Sequence, residues 1–202
     1  MPSKTRITRE SIVDAAFNIV REHGLEKLST RSIAKILHTS HIPIYSHFKS
    51  MNDLVPAIIE KIMLLLGEYH STPRTGILSL DNGIGYVLFA WEEPHLFAVI
   101  NDPRYIRLRN KYGAAQFDLH VKILSQNPRM KGFSNQQLRN FQFLAWIFVH
   151  GIASMKPLMK EARQEMDEAK LIELIREGSR TLTYGFIESQ KRVSRMNTEG
   201  RR

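Results

Sequence analysis

The sequence predicts an all-α protein, a head of three short helices followed by a larger helical body. Two observations carry this. Apolar residues recur at spacings of three and four through the long segments, where glycine and proline are sparse, and no stretch sustains the alternation of a half-buried strand. With 202 residues, 43% of them apolar, the chain can bury a core, and it does so without a cysteine. That excludes disulfides, thiolate nucleophiles, iron–sulfur clusters and cysteine-based zinc sites.

The first helix is predicted from Thr8 or Arg9 to His23, because Ile12, Ala15, Ala16, Ile19 and Val20 make one apolar stripe. Thr8 caps it, and Gly24 ends it in the left-handed conformation. Ser29 or Thr30 caps a second, short helix with Ile33, Ala34 and Leu37 inward. His38 and Thr39 break the chain, and Ser40 is the expected cap of a third short helix through Tyr45 and His47. Pro43 is tolerated there because a first-turn amide has no intrahelical partner. Residues 53–69 form a longer helix with Leu54, Ile58, Ile62 and Leu65 or Leu66 inward. Residues 71–76, with Pro73 and Gly76, mark the best internal boundary. Further helices are predicted over 77–91, 94–100, 106–125, 135–155 and 167–189.

The formal charge is +9 and the pI near 9.9. Residues 1–50 contribute +4, residues 51–189 only +1, and residues 190–202 another +4. A charged head on a balanced body reads as a module that meets a polyanion joined to one that does not. The basic end, 190–202, reads as a disordered tail. Residues 1–10 are polar and the longest apolar run is seven residues, so the chain reads as neither exported nor embedded, with a cytoplasmic setting and no membrane partner.

Three short helices with a tight turn before the last fit a helix-turn-helix unit, whose last helix enters the major groove. The residues Ile12-Val13-Asp14-Ala15-Ala16, Gly24-Leu25, Leu28-Ser29-Thr30-Arg31-Ser32-Ile33-Ala34, Leu37, Ile44-Tyr45-Ser46-His47-Phe48 and Asp53-Leu54 resemble the TetR family of bacterial transcriptional regulators. Two positions depart from it. His38 stands where the turn usually has glycine, and Met51 where lysine is common, with Lys49 nearby as a substitute phosphate contact. The resemblance implies a DNA-binding domain at 1–52, in which Thr30, Arg31, Tyr45, His47 and Lys49 touch the DNA backbone. His41, Ile42, Pro43 and Ser46 then face base edges, with Ser40 beside them. Hydroxyls and cations suit phosphate, and an apolar Ile42 or Pro43 suits a thymine methyl.

Residues 53–189 are expected to form an effector-binding and dimerisation domain, with 53–69 as the connecting helix. Trp146-Ile147-Phe148-Val149-His150-Gly151 resembles the Trp-x-x-x-His-Gly element of one TetR-type subclass, and Phe89-Ala90-Trp91-Glu92-Glu93-Pro94-His95-Leu96-Phe97 a further stretch of it. The resemblance implies a homodimer joined through the last two long helices. Its candidates are Trp146, His150 and Gly151 with the seam Leu171, Ile175, Gly178, Leu182 and Gly185; ordinary intrachain packing is the competing reading of that seam. Tyr86, Phe89, Trp91, Tyr112, Phe117, His120, Phe143 and Trp146 are the candidate lining of a pocket for a small, largely apolar or aromatic effector.

No catalytic constellation, phosphate loop or metal-ligand spacing stands out, so neither enzyme chemistry nor a cofactor is expected. Glu92-Glu93 reads as a solvated pair. The implied function is a ligand-responsive regulator, a repressor by the family's commoner behaviour, on palindromic operator DNA. The rival reading is a helical small-molecule-binding protein or enzyme whose basic ends only aid solubility.

Overall fold

Nine α-helices and three short 3-10 turns account for the regular structure of the computed structural model, which describes residues 7–156 and 166–199, with side chains to Arg192 in the second stretch. No strand occurs among the described residues. Helix α1 (Arg9–His23) starts on a reciprocal cap: the Thr8 hydroxyl accepts from the Ser11 amide at 3.1 Å, and the Ser11 hydroxyl from the Thr8 amide at 3.0 Å. Its apolar stripe is wider than expected, since Val13 and Phe17 are buried too. Gly24 has the positive φ of 85° that favours glycine, but an extended ψ rather than the left-handed helical one.

Helix α2 (Thr30–Ile36) repeats the device with Ser29 and Ser32. Helix α3 (Ile42–His47) does not, and the expected Ser40 cap is corrected: the cap residue is His41, with no side-chain bond. The caps on α1 and α2 both bind the third helical amide, and counted from Ser40 that residue is Pro43, which has no N–H. His38 holds the turn at φ 49°, alone among the described non-glycine residues in positive φ. Helix α4 (Met51–Ser71) extends two residues beyond the predicted span at each end, with Leu54, Ile58, Ile62 and Leu66 inward.

The chain divides into two compact units, residues 1–68 with 92–113, and residues 69–91 with 114–202. The head therefore includes more than the first three helices. Helix α6 (Pro94–Asn101) packs on α1, and Glu93 just before it is 5% exposed and held by the Arg21 guanidinium, whose Nε donates at 2.8 Å. The expected solvated pair is thus corrected at Glu93. A forked guanidinium is what makes a buried carboxylate tolerable.

In the second unit, α5 (Leu78–Glu92) is buried on nearly every side from Ile84 to Trp91. Asp81 organises the loop before it: burial opposes its ionisation, but the Thr75 hydroxyl and amide, each at 2.7 Å, with the Arg74 and Gly76 amides, hold its carboxyl below the usual range. Gly85 lies against the end of α4, where an added Cβ would sit 2.1 Å from the Tyr69 carbonyl oxygen. Helices α7 (Ile106–Gln126), α8 (Asn135–Ser154) and α9 (Glu168–Glu199) complete the chain. Val121, Leu124, Met130, Leu138 and Phe141 form a core cluster on which Leu182 and Phe186 of α9 pack. Helices α8 and α9 run antiparallel, since Gln137 bonds Gln190 at 2.6 Å and Phe148 fills the gap left by Gly178.

The expected loose tail is corrected over 190–199, where the backbone continues α9. Residues 186–199 contain neither glycine nor proline, and Lys191 pairs with Glu188 at 2.8 Å one turn back. Residues 200–202 lie outside the described residues.

Candidate functional site

The head exposes a set of mostly polar side chains on and around α3. Ile44 and Phe48 are 1% and 5% exposed, and with Ile33 and Ala34 they anchor α3 beside α2. What remains of α3 points outward: His41, Ile42, Tyr45, Ser46 and His47 are exposed, as are Arg31, Ser40 and Lys49 around it, while Thr30 and Pro43 are half-buried. Ile42 is 79% exposed, an apolar side chain with no core to join. The hydroxyls of Thr30 and Tyr45, fifteen residues apart in sequence, lie 3.4 Å from each other. A His47 ring nitrogen is 3.2 Å from the Ile7 carbonyl oxygen, and Ser46 donates to the Pro43 carbonyl at 2.7 Å. Cations, hydroxyls and helix starts at one face form a surface suited to phosphate. Met51 lines a groove of this unit with Leu28, Val55 and Val99, whereas Lys49 stands out from it.

The second unit contains a cavity of about 170 Å3. Of the eight predicted lining residues, Tyr86, His120 and Trp146 face it. The others do not. Phe89 is fully buried, edge-on to Tyr69, and Trp91 is buried with its indole N–H unpartnered. Tyr112 belongs to the first unit. Phe117 packs on the core cluster, and Phe143 is exposed and stacked on Trp146 at 5.8 Å.

Residues that sequence reasoning passed over supply the polar lining. His70, in the last turn of α4, accepts at Nδ1 from Gln116, is stacked on Tyr86 with ring centres 6.2 Å apart, and meets His120 edge-on at 6.3 Å. Gln142 on α8 places its amide nitrogen 3.4 Å from His120 Nδ1. Burial, with His120 and Arg74 adding to it, lowers the His70 pKa to about 4; burial also lowers that of His120. Both rings are therefore neutral near pH 7. The Gln142, Trp146 and Val149 spacing on α8 was the readable signal; nothing local marked His70.

The predicted dimer seam faces its own chain. Leu171 and Ile175 are buried, Ile175 and Leu182 line the cavity, and Gly178 meets Phe148. Trp146 also lines the cavity, and His150 lies 2.8 Å from the Tyr86 hydroxyl and 4.9 Å from the Trp146 ring centre. Only Gly151 and Gly185 of that set are exposed. The outward apolar residues here are instead Phe143, Leu144 and Ile147 on α8 and Met155 just after it, with Leu174 and Tyr184 on α9.

Residues 12–58 match the family model described as bacterial regulatory proteins, tetR family. The tetracycline repressor protein class C of Escherichia coli is 35% identical over 69 residues, 34% of this chain and 31% of that protein. The chain thus matches about a third of the length of such relatives. Over the whole chain the likeness is one of fold. A transcriptional regulator from Rhodococcus sp. Rha1 superposes with a TM-score of 0.65 at 16% identity, covering 89% of this chain and 97% of that one. A variant TetR from Acinetobacter baumannii AYE in complex with minocycline does so with a TM-score of 0.58 at 16% identity, covering 89% and 96%. No helix among the described residues is long and apolar enough to cross a membrane.

Proposed function

We propose that this chain, whose head is a tetR-family domain, is a ligand-responsive transcriptional repressor that binds palindromic operator DNA as a homodimer. The observation that carries the reading is the exposed face of α3 beside Thr30, Arg31 and Tyr45, matched with a largely apolar cavity in a separate unit. Arg31, Tyr45 and Lys49 hold phosphates, while His41, Ile42 and Ser46 meet base edges. The repressor named among the relatives, and the minocycline bound by a similarly folded protein, support repression and release by a small effector. The Trp146, His150 and Gly151 element resembles that of the Trp-x-x-x-His-Gly subclass and supports assigning the body to it, and the setting is cytoplasmic. The homodimer joins through the outward faces of α8 and α9, whose exposed Phe143, Ile147, Leu174 and Tyr184 suit a two-fold contact better than the buried seam.

Helix α4 begins four residues after α3 ends and carries His70 in its last turn. An effector that prefers one position of that helix lowers operator affinity through its differential binding alone. Selection of bound sequences from random duplex DNA tests the whole reading. The expected product is a palindrome with half-sites about one helical turn or a multiple apart, bound with preference at ~150 mM salt. Arg31→Ala and Tyr45→Ala are each expected to weaken that binding about tenfold. Unselected sequences, or a monomer by light scattering at micromolar concentration, would overturn it.

A further inference from the structure

The cavity's size and lining narrow what it takes, on the reading that it is the effector site. Its volume of about 170 Å3 is near the ~150 Å3 of an engineered cavity that holds one benzene and well short of the roughly 300 Å3 at which drug-sized sites begin. Phe141, Trp146 and Val149 supply flat and apolar wall. Among the described residues no Asp, Glu, Lys or Arg lines it.

Its polar groups are neutral and oriented. His70 accepts at Nδ1 from Gln116, and His120 stands in the same relation to Gln142, so the ring proton of each sits on Nε2. Two N–H donors are left on rings 6.3 Å apart. The groups around His70 are Tyr86 from α5, Gln116 and His120 from α7, and Arg74 from the loop after α4. Arg74 is occupied, donating to the carbonyls of Tyr69 at 2.9 Å and Thr72 at 3.0 Å and facing Glu168 at 3.7 Å. A carboxylate entering here would lose its hydration without meeting a cation, and an ammonium would lose its own without meeting a carboxylate, since the polar wall, Asn82, Asn127 and Ser179 among it, is neutral.

The geometry points to an uncharged effector of single-ring size that carries a hydrogen-bond acceptor, a carbonyl or its like, bound by the Nε2–H groups of His70 and His120. A charged ligand of the same shape binds only by changing protonation. An anion would have to bring a proton onto a buried histidine, so its affinity would rise tenfold per unit fall in pH, whereas that of a neutral ligand is flat near neutrality.

Benzamide, benzoate and benzamidinium share one shape and differ in charge, so calorimetric titration of the full chain with each, from pH 6.5 to 8.5, separates the cases. Benzamide is expected to bind at one site, at least tenfold more tightly than either ion and with no pH dependence. His120→Phe loses at least tenfold of that affinity, and His120→Gln, which keeps an N–H donor, recovers part of it. Benzoate binding as tightly as benzamide with uptake of a proton, or benzamidinium binding best, would overturn the proposal on charge without needing any variant. Failure of all three at millimolar concentration overturns it on size, and binding of minocycline in that case would leave the effector reading standing. Benzamide bound with operator affinity unchanged sinks the effector reading and leaves the assignment of cavity chemistry intact.

Discussion

Head and body use burial in opposite ways. In the head, Ile33, Ile44 and Phe48 are hidden so that a face of polar side chains within residues 30–49 stays in solvent. In the body the candidate site is itself inside, and the cavity gathers residues from His70 to Thr183 across α4, α5, α7, α8 and α9. A surface site made of neighbours in sequence tolerates movement elsewhere. A cavity made of distant residues depends on every helix keeping its place, because close-packed interiors transmit a displacement to their neighbours.

The largest break of that symmetry is expected from Gly85→Ala. The added Cβ meets the Tyr69 carbonyl oxygen at 2.1 Å, and neither atom belongs to a side chain that can rotate aside. A loss of about 3 kcal/mol is expected, read in calorimetry as a lowered transition of the body, while the amide shifts of α1–α3 in NMR stay in place. Loss of the head's spectrum as well would show that the two units do not fold separately.

Acid distinguishes the units next. The His70 pKa is about 4 in the folded state against about 6.5 unfolded, so between those values the unfolded chain binds the extra proton. Stability of the body therefore falls as pH drops from about 6.5 to about 4, by on the order of 3 kcal/mol over the window. His120 shifts in the same direction. Urea midpoints against pH should show the decline, and His70→Gln should flatten it; an unchanged slope in that variant would place the titration elsewhere. The histidines of the head, His23, His38, His41, His47 and His95, are all exposed.

The smallest effect is on the other side. Ser29→Ala removes one arm of the reciprocal cap on α2 and is expected to cost about 1 kcal/mol, lowering the head's denaturant midpoint with the body's unchanged. A shift of both midpoints together would blur the contrast.

The same difference decides what was legible in the sequence. Helix α1 begins where predicted because Thr8 and Ser11 settle the start locally, and α2 because Ser29 and Ser32 do. The residues proposed to face DNA could be picked out because they are the non-core positions of short helices whose core positions are periodic, and they are exposed or half-buried. In the body periodicity revealed that helices exist, not which neighbour each face meets. Leu171, Ile175 and Leu182 make one seam whether the partner is α8 or a second chain, and the choice falls to long-range packing. Glu93 shows the same limit: the Arg21 that buries it is 72 residues away. His70 carries no local mark, since its role depends on Gln116 and His120 arriving from α7.

Helix α9 carries a consequence of a different kind. Its 32 residues span about 48 Å at 1.5 Å each, against about 30 Å for the 20 residues of α8. The register of Gln137 with Gln190 means that α8 gives out close to that point, while the α9 backbone runs on to Glu199. An isolated ten-residue helix in water fails on the cost of its first turn, not of its later ones. Here the first turn is already made on the packed stretch from Leu171 to Phe186, and the rest only propagates from it. The end that reads as disordered when taken by itself is therefore a helix only while joined to the body, and a chain cut near Ser189 would release it as coil.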